Sequence, residues 1–583
     1  RKGFLHMKKK LLPALIVTGL IILVVIIMGI TALINKYTPT KKTEDLKEYF
    51  NISSDDEAAL IVDNELSDYK AKIIDKKIYV DYKFVHDSLN SRFYWDANEN
   101  VLLYTTASDI ISAAADSNSY SVTKQTNDFG YPIVKATSDS ALIALDYVKQ
   151  YSNITFKSYD DPARIVITSK WDEIDSATVS KSTQVRVKGG IKSPILKEVK
   201  KDDKITILDS GDKWDKVATE DGVIGYIKSK ALSESKKTKL TNPDYEEETF
   251  THIKKDKDIC LAWNQVTSQS ANSKVPQVIS STKGINVMSP TWFYLNDNNG
   301  NLADIASKDY VSYCHSQGIE VWGLFSNFEN TDVDAAYVLT HTSTRTTLIN
   351  QIMSAAFNYE LDGVNIDFEN ITEAAYGDSY IEFIRELAIK CHNNGISLSV
   401  DVTVPASFNK FFNRSDMANF ADYIVIMGYD EHYKGSDAGS VSSIPWVTEG
   451  VESTLKEVPA DQIILGMPFY TRIWELTPKE DDDAVTDTED QSKYTVASQV
   501  YSMDAAAAQL ATNNATAALD EESGQNYAEW SVSNKLYKVW LEDTTSLEKR
   551  LKLVDDNKLA GAAFWKLGFE NSSVWDTVIK YLN

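Results

Sequence analysis

From about residue 257 to the end, the chain repeats one pattern: an apolar run of strand length, a stretch with helical periodicity, then another apolar run. The runs are ICLAWNQVT, INVMSPTWFYL, EVWGLFSNF, GVNIDFENI, LSVDVTVP, YIVIMGYDEHY, IILGMPFYTRIW and GAAFWKLGF. Helix-like segments such as DSYIEFIRELAIKCHNNG lie between several of them, and its closing Asn and Gly form a C-cap signal. Eight strands separated by helices predict an α/β fold, a parallel (β/α)8 TIM barrel, whose active site lies at the C-terminal strand ends.

The fourth run, LDGVNIDFEN, carries the chemistry. Val364, Ile366 and Phe368 alternate with Asn365, Asp367 and Glu369. Side chains two apart on a strand share a face, so the polar row points into the barrel mouth and the apolar row packs on helices.

At 583 residues the chain is too long for one core. Its formal charge is −24, and the first 35 residues hold five basic and no acidic groups, so the remainder is more acidic still. Such a surface repels nucleic acid, which is excluded as a partner. Leu11 to Ile34 form an uncharged apolar run long enough to span a bilayer as a helix. Lysines precede it and no convincing small-x-small cleavage site follows, which predicts an uncleaved single-pass anchor, a cytoplasmic tail within residues 1–35, and an extracellular remainder, with a cleaved signal peptide as the alternative. Three cysteines without paired spacing and seven scattered histidines give neither a disulfide framework nor a metal site. No cofactor is implied.

After a linker at 36–56, residues 57–172 hold short β-type runs and one helical stretch. Their phrase YWDANENVLLYTT resembles the copper amine oxidase N-terminal-like domain, here without copper ligands, which implies a stalk or wall-contacting spacer. Residues 178–235 read as a small β-barrel with Ser-Gly, Asp-Gly and Gly-Tyr steps. They resemble bacterial Src-homology-3-like domains, with Trp214, Gly222, Gly225 and Tyr226 at matching places; such modules bind wall peptides or act as spacers. A charged linker at 236–256 leads to the barrel domain at 257–583.

That last domain resembles glycoside hydrolase family 18, the chitinase-like hydrolases, closest in wording to the spore-cortex and peptidoglycan-lytic branch. The family pattern D-x-x-D-x-D-x-E falls on Asp362, Asn365, Asp367 and Glu369, with Asn in place of the second Asp. Gly363 belongs to the same motif, and both it and Asp362 are structural in this reading. The sixth-strand signature M-x-Y-D falls on Met427, Gly428, Tyr429 and Asp430, and the Trp expected on the last strand is Trp565.

Cleaving a glycosidic bond needs a proton donor at the leaving oxygen and a group that stabilises charge at the anomeric carbon. Glu369 is the natural acid, since burial and a neighbouring carboxylate both raise a carboxyl pKa. The resemblance implies substrate assistance, in which the 2-acetamido oxygen attacks, Asp367 orients that group, Tyr429 hydrogen-bonds it, and Asp430 binds the sugar or tunes the acid. Met427, Trp565, Asn365, Tyr470 and Trp292 complete the expected substrate site, with Trp263 as a further cleft or core residue. An insertion at about 475–555 holds the acidic loop KEDDDAVTDTED, a candidate for calcium or for plain solvation, and a hairpin turning at Ser-Asn, where Tyr527, Trp530 and Trp540 could touch sugar. The expected partner is a polysaccharide, peptidoglycan or chitin-like, outside a Gram-positive cell. A non-catalytic glycan-binding surface protein is the alternative, with Glu369 as the discriminating residue.

Overall fold

The computed structural model describes residues 2–369, 371, 376–479 and 491–582, with side chains from residue 13 onward. It divides into two compact units: residues 1–91 with 132–247, and residues 92–131 with 248–583.

The second unit is built on eight parallel strands: β1 (Ile259–Asn264), β2 (Val287–Leu295), β3 (Glu320–Ser326), β4 (Gly363–Asp367), β5 (Ser397–Thr403), β6 (Tyr423–Met427), β7 (Ile463–Pro468) and β8 (Gly561–Trp565). Each pairs with the next, and β1 pairs with both β2 and β8, which closes the predicted barrel. The two faces of each strand sort as a closed barrel demands. Leu261, Trp263, Trp322, Leu324, Tyr423, Val425 and Ala563 fill the interior. Cys260, Ala262, Met288, Val321, Val364 and Ile366 face the surrounding helices. Interior space is tight: a Cβ on Gly363 would lie 2.5 Å from the Trp322 ring, so glycine there is what admits the indole.

The helix Gly377–His392 follows β4 and is buried on nearly every side. Its inner face takes Phe368, stacked at 5.4 Å on Phe383. Its outer face is covered by a five-stranded meander between Phe93 and Asp128. Tyr94 and Ser379 share a hydrogen bond of 2.9 Å, Thr105 donates to Glu382 at 2.8 Å, and Asp96 accepts from Thr342 N at 2.7 Å, joining this meander to the barrel helices. The sequence boundary at 57–172 runs across this division. A long excursion within the stalk sequence packs on the barrel, a non-local pairing that local periodicity cannot reveal.

Beyond β7 the chain leaves the barrel at Tyr470, slightly earlier than the expected 475, for a five-stranded antiparallel sheet and the helix Met503–Thr512. The predicted hairpin is present, Gln525–Val532 against Lys535–Leu541, with Ser533 and Asn534 at φ 48° and 62° in its turn. The acidic loop at 480–490 lies outside the described residues.

In the first unit, a seven-stranded sheet between Glu57 and Thr168 shares one apolar core with a second seven-stranded sheet between Glu173 and Lys239. Ile61 and Val166 of the first sheet close on Gly222 of the second, and Arg164 pairs with Asp221 at 2.5 Å. Here the two front modules form one body. The helix Lys2–Tyr37 contains a stretch, Pro13–Tyr37, long and apolar enough to cross a membrane.

Candidate active site

A cavity of about 750 Å³ opens at the C-terminal ends of the barrel strands. Asp367 and Glu369 from the end of β4, and Met427, Tyr429 and Asp430 from the end of β6, line it together. Trp565 from β8 and Trp263 from β1 form its aromatic floor, with ring centroids 6.0 Å apart. Trp263 and Trp565, from opposite ends of the domain sequence, thus converge because a parallel barrel brings every strand's C-terminal end to one rim.

The electrostatics suit proton chemistry. Burial, then the neighbouring Asp401, Glu369 and Glu329 carboxylates, hold the Asp367 carboxyl well above the ordinary range. Solvent reaches Glu369 through the cleft, yet protein surrounds most of it. Its pKa is raised by that burial first and by Asp430 and Glu329 next. Burial also pushes the Tyr429 phenol far up, so it remains a hydrogen-bond donor. One buried oxygen of Asp367, Oδ1, has no hydrogen-bond partner among the described residues.

Several expected site residues serve otherwise. Asn365 lies one layer below the cavity, fully buried, where it accepts hydrogen bonds from Trp263 Nε1 and Ser289 Oγ, both at 2.9 Å. It is a support for the floor and not a substrate contact, because the barrel interior is filled with side chains below the mouth. Trp292 is likewise outside the cavity. It shares the helix-facing layer with Tyr310 and donates to Asn272 at 2.8 Å. Its neighbour Thr291 lines the cavity, and the period of two sends the next residue to the opposite face. Tyr470 is buried behind the rim, with its hydroxyl donating to Asp430 Oδ1 at 2.5 Å, so it reaches the site through Asp430. Asp362 sits at the opposite end of β4, accepting from Val321 N at 2.8 Å and pairing with His315 at 2.8 Å.

The inserted aromatics do not line the cavity. Tyr527 donates to Glu529, Trp530 stacks on Tyr537, and Trp540 donates to Asp520. The further rings that line it are Tyr294 near the end of β2, Phe328 and Tyr433 on the segments beyond β3 and β6, Phe408 on the short helix Ser407–Phe412 beyond β5, and Trp446 on the helix Ile444–Thr454. Phe408 is 78% exposed and Tyr433 56%, an unusual state for large rings unless something covers them. Their signal was present in SNF, VPASF and DEHY, aromatic residues just past β3, β5 and β6. Sequence reasoning also missed Asp401, a buried carboxylate on β5 that lines the same cavity.

A closed parallel barrel with clustered carboxylates and aromatic rings at its C-terminal mouth defines a TIM-barrel enzyme domain. Residues 329–570 match the model of glycosyl hydrolases family 18. An uncharacterized glycosylase, YvbX, of Bacillus subtilis is 24% identical over 49% of this chain and 81% of its own length. A cortical fragment-lytic enzyme of Bacillus subtilis is 24% identical over 48% of this chain and 63% of its own length. The chain therefore spans less than two thirds of that second relative. The solved spore cortex-lytic enzyme SleL of Bacillus megaterium is 19% identical, with a TM-score of 0.48 over 59% of this chain and 77% of that one.

Proposed function

We propose that the protein is a membrane-anchored hydrolase that cleaves β-1,4 bonds next to N-acetylglucosamine in an extracellular glycan, peptidoglycan before chitin, by substrate assistance with retention. The observation that carries this reading is the pair Asp367 and Glu369. A buried carboxylate oxygen without a partner among the described residues, beside a carboxyl whose pKa is raised, is a place for a substrate amide next to a proton donor. Glu369 protonates the leaving oxygen, while Asp367 takes the acetamido N–H and Tyr429 donates to its oxygen as that oxygen closes on the anomeric carbon. The same Glu369, now ionised, activates the water that opens the intermediate. A protein nucleophile is poorly supplied. Asp367 is buried and held toward its neutral form, Asp401 is engaged by the Asn365 amide at 2.7 Å, and both oxygens of Glu329 accept from Ser326 at 2.7 Å.

The exposed rings beyond β3, β5 and β6 extend the cleft for several sugars, since aromatic faces pack on sugar C–H surfaces. The apolar stretch Pro13–Tyr37 supports anchoring, and the likeness to a cortical fragment-lytic enzyme supports peptidoglycan. The test is to incubate the protein and its Glu369→Gln variant with purified peptidoglycan and with chitin oligomers, reading products by mass spectrometry. Muropeptides ending in N-acetylglucosamine, released by the parent alone, are the expected result. Release from chitin oligomers alone would overturn the peptidoglycan preference. Tight binding by both proteins without cleavage would overturn the catalytic reading.

A further inference from the structure

The motif position where this chain has an amide is resolved by the neighbouring strand. The Asn365 oxygen accepts from Trp263 Nε1, a group that only donates, so the amide orientation is fixed. Its NH2 faces the other way and donates to Ser399 Oγ at 3.1 Å and to Asp401 Oδ1 at 2.7 Å. All of its hydrogen-bonding capacity is spent on holding other groups. In the parallel register Asn365 is level with Ser399. Two residues further along both strands, Asp367 and Asp401 stand level on the same inward face, across an interstrand spacing of about 4.8 Å. Asp401 is 4% exposed and Asp367 6%.

We propose that Asp401 is a positioning residue for Asp367: a charge fixed on β5 by the Asn365 amide, which sets the pH at which Asp367 ionises and takes up the acetamido group. It moves to β5 the negative charge that an acid at position 365 would have supplied from within β4. This rests on the substrate-assisted reading given above.

The groups facing the pair are Glu369 from the end of β4, Glu329 from beyond β3, Tyr429 from beyond β6, and the Tyr380 hydroxyl from the helix behind. No lysine or arginine lines the cavity among the described residues. Asp367 is thus without a compensating cation. Burial raises the Asp401 carboxyl as well, but the Asn365 N–H opposes that rise, so Asp401 is the member of the pair whose ionised form has a donor, and its charge delays the ionisation of Asp367 to higher pH. If Asp367 must be ionised to stabilise the cationic intermediate, it governs the acidic limb of the pH–rate profile, whereas Glu369 governs the basic limb.

The experiment uses the full chain and a fluorogenic N-acetylglucosamine oligomer, comparing the parent, Asp401→Asn, and the exchange Asn365→Asp with Asp401→Asn. For Asp401→Asn the acidic limb should move down by about one pH unit, with kcat reduced about tenfold and KM within about twofold. The exchange should return the acidic limb toward the parent, because Trp263 and Ser289 already offer two donors to an acid at 365. It also gives a readout if the single variant fails to fold. An unmoved acidic limb in Asp401→Asn, or an exchange variant that stays shifted, overturns the inference. No hydrolysis by the parent on any N-acetylglucosamine glycan overturns the functional reading instead.

Discussion

The hydroxyl of Tyr470 donates to Asp430 Oδ1 at 2.5 Å, which ties the first residue of the inserted sheet to the last residue of the Met427–Asp430 motif. Asp430 has φ 61°, a conformation that a non-glycine residue keeps only when its surroundings hold it. Arg472, two residues further along the same strand, lies 3.8 Å from the same oxygen. Removing the hydroxyl with Tyr470→Phe should lower kcat/KM about tenfold while changing stability by less than about 1.5 kcal/mol. Steady-state kinetics beside urea unfolding checks both halves. An unchanged kcat/KM would mean that Asp430 is held without Tyr470.

Asp430 should in turn set the basic limb. After burial, it is the largest contributor to the raised pKa of Glu369. Asp430→Asn removes a like charge, so the Glu369 pKa falls. Glu369 then loses its proton at lower pH, and with Glu369 as the proposed acid the basic limb of the kcat profile should move down while the acidic limb stays. A profile whose basic limb remains in place would assign that limb to another group.

Gly363→Ala tests the barrel interior below the site. The added Cβ would meet three atoms of the Trp322 ring, at 2.5, 2.6 and 2.9 Å, in a layer with no slack. Unfolding in urea should show a loss of about 1–3 kcal/mol, the range for overpacking a close-packed core. Trp322 also stacks on Tyr423 at 5.6 Å, so a compensating Trp322→Leu should recover part of the loss.

A second stability test concerns the buried pair on the helices outside β4. Arg345 is 0% exposed and donates to Glu386 Oε1 through Nε at 3.0 Å and Nη2 at 2.9 Å. Arg345→Met strands the Glu386 carboxylate and should cost about 3–5 kcal/mol. The double variant Arg345→Met with Glu386→Leu removes both charges and should be markedly more stable than the single one. A single variant as stable as the parent would show that Glu386 is protonated in the native state.

The barrel was legible because strand and helix periods differ and each strand was bounded by its own run, as in YIVIMGYDEHY and GAAFWKLGF. The end of β4 was legible for the same reason, since alternation alone puts Asp367 on the inward face with Asn365. What alternation could not supply was depth. Asn365 and Asp367 share a face, yet one is packed beneath the floor and the other lines the cavity, a difference set by the layering of eight strands. Trp292 shows the opposite limit: it lies near a strand end, but the parity of β2 turns it toward the helices.

By itself the sequence determined the barrel, the carboxyl row of Asp367 and Glu369 at the end of β4, the sixth-strand motif and the apolar N-terminal stretch, because each is written in contiguous residues at a fixed period. Only the tertiary structure decided the rest. The meander within residues 93–128 covers the barrel helix Gly377–His392, the two front modules share one core, and Asp401 stands level with Asp367. Each of these depends on which surfaces meet and in what register, a choice made by packing between distant segments and carried by no single stretch of sequence.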